Sequence, residues 1–96
     1  MTARDDYTNQ MAANLKQWST QIGDLQAKMR DAGAEQKAQV ETVVAAMKMQ
    51  QTAYQQQMKT VREASDAAFA DLRQGSERMA EEFAKAYAQA AGRFAA

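Results

Sequence analysis

Asp31-Ala32-Gly33-Ala34-Glu35 stands between two long runs of helix-forming residues, and its reading decides whether the chain is one rod or a folded-back hairpin. Glycine is the only helix breaker in this proline-free chain, and it occurs at positions 23, 33, 75 and 92. Gly33 is suited to the left-handed conformation that ends a helix, and Glu35 suits the first turn of the next one. A turn here predicts helix one over about 5–32 and helix two over about 35–94. Gln74-Gly75-Ser76-Glu77 offers a kink in the second helix, with Ser76 as a cap. Gly23 lies inside a strong apolar pattern and reads as a close-packing position.

The pattern on either side of the turn is helical. Steps of three and four residues from Tyr7 trace one apolar stripe to Phe94 with a mean period of about 3.63 residues. Its strongest members are Leu15, Trp18, Ile22, Leu25, Met29, Val40, Val43, Met47, Tyr54, Met58, Val61, Leu72, Met79, Phe83, Tyr87 and Phe94. Strict heptad spacing holds from Leu15 to Gln36 and from Gln51 to Leu72. The mean period lies between 3.5 and 3.67, which predicts nearly straight helices rather than a uniformly wound zipper. Gln36, Gln51, Ser65 and Ser76 are the polar members of the stripe.

Composition agrees with long helices. Alanine supplies 22 of the 96 residues, Gln 13 and Met 7, all of which lose little freedom in a helix. Only 11 residues are Val, Ile, Leu or Phe. A face this sparse buries little area, and most helical stability comes from packing, so an isolated helix of this kind is not stable in water. The expected helices also differ in length: helix one covers only half of helix two. The remainder, from about Arg62, must fold back at Gly75 or pack on another chain. The expectation is therefore an all-α fold: one domain over 1–96, a long-helix antiparallel hairpin or coiled-coil bundle, completed either as a three-helix bundle or, the favoured expectation, by homodimers or higher oligomers.

Charge and chemistry exclude much. There are 12 basic and 12 acidic residues, evenly spread, and no His, Cys or Pro. No thiolate, imidazole base, disulfide or zinc cluster can arise from these residues. No basic face for nucleic acid is expected. Asp5-Asp6 and Glu81-Glu82 belong to solvated helix surfaces, with Thr2 as an N-cap and Glu81–Lys85 type pairing on the surface. Four isolated glycines make no phosphate loop. Met47-Lys48-Met49 has alternate-Met spacing, but residues two apart point to different sides of a helix, so Met47 is core and no copper site forms. No cofactor and no enzymatic activity are expected. The opening Met1-Thr2-Ala3-Arg4-Asp5-Asp6 is not expected to act as a signal peptide, no membrane span is expected, and the absence of cysteine fits a cytoplasmic location.

Two stretches point to partners. Thr42 to Met58 carries one charge, Lys48, and reads as a neutral Gln and Met face on which a partner packs, with Gln51 and Gln55 as carriers. Phe69 to Phe94 is aromatic and alanine-rich, with Phe69 widening the apolar face. Its four basic and four acidic side chains speak against an anionic membrane and leave a neutral granule surface open.

Arg4-Asp5-Asp6-Tyr7, Leu15-Lys16-Gln17-Trp18, the run from Ala64 to Gly75, Phe83 and Gly92-Arg93-Phe94 resemble a group of small bacterial coiled-coil proteins of unassigned activity. Ala68-Phe69-Ala70-Asp71-Leu72-Arg73-Gln74-Gly75 also resembles the phasins, which coat polyester granules. Secreted helical hairpins with a Trp-x-Gly turn do not match, because Ser19-Thr20 follows Trp18 inside a helix. The first resemblance implies a self-associating scaffold or adaptor that binds itself or another helical protein; the second implies an amphipathic coat on a granule or lipid surface.

Overall fold

A computed structural model describes residues 2–94 as three helices. They are α1 (Ala3–Met29), α2 (Ala34–Glu63) and α3 (Asp66–Gly92). The helices run up, down and up in a rod of 49 × 19 × 19 Å, so α1 and α3 are parallel and α2 is antiparallel to both. No strand occurs among the described residues, and no helix there is long and apolar enough to cross a membrane. The all-α bundle expected from the stripe is the observed architecture.

Thr2 starts α1 as expected. Its hydroxyl accepts from the Asp5 amide at 3.1 Å, and the Asp5 carboxylate accepts from the Thr2 amide at 3.4 Å. This reciprocal pair satisfies two of the amides that a helix start leaves unmatched.

The first turn falls where the sequence places it, with a different mechanism. Residues 30–32 close a tighter last turn through amides bonded to Ala27, Lys28 and Met29 carbonyls. Gly33 then takes φ −66° and ψ 160°, an extended conformation, and serves as the N-cap residue of α2. It is not left-handed; among the described residues no glycine has positive φ.

The second turn corrects the expected helix 35–94. The chain breaks at Ala64-Ser65, both extended, and not at Gly75. Ser65 caps α3 by accepting from the Ala68 amide at 3.3 Å. The break at 64–65 makes three helices of 27, 30 and 27 residues. Nearly equal lengths let each helix cover the others along the rod, so the remainder of the chain is covered by a fold-back within the same chain. A break at Gly75 would have left the third helix about one-third shorter. Gly75 instead stays helical and faces α2, where a Cβ would meet Gln57 Nε2 at 3.6 Å. Gly23 is exposed with nothing within 4 Å of a Cβ, so it is not a close-packing position.

The core is the stripe. Met11, Trp18, Ile22, Leu25 and Met29 of α1 meet Val40, Val44, Met47, Tyr54 and Val61 of α2 and Phe83 and Ala90 of α3. The stripe changes phase at the break: Ser65 and Ala68 are exposed, and Phe69 packs inward in their place.

Candidate functional site

The central layer is aromatic, with one ring from each helix. Trp18 stacks on Phe83 with centroids 4.1 Å apart and planes 9° from parallel. Tyr54 also packs on Trp18, with centroids 4.4 Å apart and planes tilted by 50°. Tyr54 and Phe83 are almost fully enclosed. The Tyr54 hydroxyl accepts from Asn14 Nδ2 at 3.1 Å, which gives its polar tip a partner. Burial pushes the Tyr54 hydroxyl above its ordinary pKa, and the Asn14 hydrogen bond partly opposes that. Tyr7 is raised as well, first by burial.

Polar side chains stitch the seams. Gln51 donates through Nε2 to Ser19 Oγ at 2.7 Å and to the Leu15 carbonyl at 3.4 Å, joining α2 to α1. Gln57 donates to the Leu72 carbonyl at 3.2 Å, joining α2 to α3. Ser76 is fully buried and donates to the Leu72 carbonyl at 2.8 Å. The ends are tied too. Arg4 donates to the Ala64 carbonyl and lies 3.7 Å from the Asp66 carboxylate, while Gln36 donates to the Arg93 carbonyl. Tyr7 meets Phe69 edge-on at 5.9 Å, with the Arg73 guanidinium 5.2 Å above the Tyr7 ring. Thus three of the four polar stripe members join neighbours through hydrogen bonds or occupy the core with a satisfied hydroxyl, and the fourth, Ser65, caps α3.

The residues expected to carry self-association therefore lie inside a single chain. Trp18, Ile22, Leu25, Met29, Val40, Met47, Tyr54, Val61 and Phe83 are buried, and Leu15, Val43, Met58, Leu72, Met79, Tyr87 and Phe94 are half-buried against them. Val44 is the deeper of the two adjacent valines, and Tyr7, Met11 and Phe69 extend the core beyond the strongest stripe members.

The neutral window of α2 divides into two faces. Gln51 points to α1 and is no outward carrier of a partner contact, whereas Gln55 and Gln56 are exposed. Met47 is fully buried, and Met49 is 75% exposed. The two methionines thus lie on opposite sides, and among the described residues no metal-binding group of three or more carboxylates forms. Beside Met49, Lys48, Thr52, Ala53 and Gln56 border a shallow, open groove. A second groove between α2 and α3 is apolar and lined by Gln50, Ala53, Arg78, Met79 and Glu82. The Gln50 amide oxygen is enclosed at this seam without a hydrogen-bond partner. Surface ion pairs join Arg73 to Glu77 at 3.2 Å and Lys85 to Glu82 at 3.6 Å; Lys85 pairs with Glu82 rather than with Glu81.

Comparison with protein-family models, curated proteins and solved structures returns no match. The function rests on the geometry alone.

Proposed function

We propose that this chain is a non-enzymatic helical scaffold or adaptor, working in the cytoplasm by presenting helix surfaces to a second copy of itself or to another helical protein. The observation that carries the reading is the contrast on α2. Its inner residues complete the core, while the outer face of the window from Thr42 to Met58, which holds a single charge, carries the most exposed large apolar side chain among the described residues, Met49. The grooves are open surface depressions, and a general acid or base needs an enclosed site that shifts its pKa.

Circular dichroism and sedimentation together test this. The scaffold reading expects full helicity in plain buffer and a melting temperature that rises with protein concentration. Helix that forms only on adding neutral lipid or polyester particles would overturn it in favour of the phasin-like coat. That alternative requires the stripe to leave the interior of the bundle and lie on the particle surface.

A further inference from the structure

The outer face of α2 carries a pattern of charges that is complementary to itself in one orientation. Thr42, Ala45, Met49, Thr52, Ala53 and Gln56 are exposed and recur at the three- and four-residue spacing of one helix face. Glu41 and Lys59 flank that face, both exposed, and neither enters an ion pair among the described residues. They are 18 residues apart in sequence, which is five full turns at about 3.6 residues per turn. They therefore lie on the same flank, about 27 Å apart at a rise of about 1.5 Å per residue. Their midpoint is residue 50, next to Met49.

We propose that a second copy of this chain docks on this face, α2 against α2 and antiparallel, about a two-fold axis beside Met49. This deepens the scaffold reading and rests on it. An antiparallel pair sets same-flank residues opposite one another at mirrored heights. Glu41 then meets Lys59 of the second copy, and the two-fold axis repeats the pair. Lys48 faces Thr52. In a parallel two-fold pair the same flank of the two copies lies on opposite sides of the contact, so Glu41 and Lys59 would not meet, and the charge pattern selects the antiparallel orientation. Between the flanks Met49 rests among Thr52, Ala53 and the second Met49, over side chains short enough for close approach. The contact involves one helix face and is smaller than the roughly 800 Å² per partner of a standard interface, so the pairing is weak and depends on concentration.

Sedimentation equilibrium of the full chain at low salt, from micromolar to millimolar concentration, tests the pairing. The wild-type mass rises from 10.6 kDa toward twice that value. Glu41→Lys and Lys59→Glu each weaken association about three- to tenfold, because each turns both symmetry-related pairs into like-charge contacts. The double variant Glu41→Lys with Lys59→Glu restores the wild-type behaviour. Both residues are exposed, so circular dichroism shows all variants equally folded. Wild-type association that the single reversals leave unchanged, or that the double variant fails to restore, overturns the antiparallel α2 contact while leaving the scaffold reading standing. A mass of 10.6 kDa at every concentration overturns the contact and self-association with it.

Discussion

The two sides of α2 carry similar residue types and do opposite work. Met47 and Met49 are separated by one lysine, yet Met47 is sealed in the core and Met49 is 75% exposed. Gln51 bridges two helices, and Gln55 and Gln56, one turn on, face solvent. The difference teaches that in an alanine-, glutamine- and methionine-rich chain residue type says little about role; angular position on the helix says nearly everything. The sharpest break of this comparison would be a core substitution that costs no more than a surface one. Phe83→Ala removes a fully buried ring that stacks on Trp18 and leaves a void in the central layer. Loss of a buried phenylalanine costs about 3–5 kcal/mol. In a domain this small that is most of the stability, so thermal melting followed by circular dichroism should show the Phe83→Ala chain largely unfolded near room temperature.

Tyr54 sharpens the comparison from the boundary of the core, because its ring is buried while its hydroxyl is held by Asn14. Tyr54→Phe keeps the ring and removes the hydrogen bond, at a cost of about 1 kcal/mol at neutral pH. The variant also changes the pH response. Burial raises the folded-state pKa of Tyr54 above its ordinary 10.0. The unfolded chain therefore ionises first as pH rises, and the stability linked to this group is complete below pH 10 and is lost as pH climbs through the folded-state value. Tyr7, raised in the same direction, adds to the loss. Urea denaturation at neutral and alkaline pH should show the wild type losing more stability above pH 10 than Tyr54→Phe does. Equal losses would place the alkaline sensitivity elsewhere.

Much of this fold was legible because it depends on local periodicity. The stripe from Tyr7 to Phe94 named most of the core, Thr2 was visible as a cap, and the turn at Gly33 stood out as glycine between helix formers. The second turn was hidden because it uses no glycine. Ala64-Ser65 continues the heptad count, with Ser65 and Ala68 in phase, and nothing in the local pattern shows that both face solvent. What selects that site is global: Ser65 caps a helix, and breaking there makes three nearly equal lengths that close the core within one chain. Length matching offered the clue, since Gly75 could not divide the chain evenly. The signal for Phe69 was present too, one residue off the stripe, and marked the shift of phase that follows the turn. The inward and outward parts of the neutral α2 window were harder to separate. Gln51 and Gln55 are both amides, and only the position of α1 shows that Gln51 reaches Ser19 and the Leu15 carbonyl.

The smallest effect belongs to the outer face. Met49→Ala removes a side chain that is 75% exposed and packs against no other helix in the same chain, so the folded state loses little buried area. Alanine is also the stronger helix former, which favours the variant by a few tenths of a kcal/mol. The two terms nearly cancel, and the change in stability stays within about 0.5 kcal/mol, as is usual for surface substitutions. The measurement belongs in dilute solution, where a weak contact between copies is unoccupied and urea unfolding reports the single chain. Under those conditions Met49→Ala should overlay the wild-type curve, whereas Met47→Ala, two residues away, should lose about 2–5 kcal/mol by opening a void in the core. Substitutions of equal size at neighbouring methionines then differ by the whole cost of burial, and equal losses at both positions would erase the distinction between the two faces of α2.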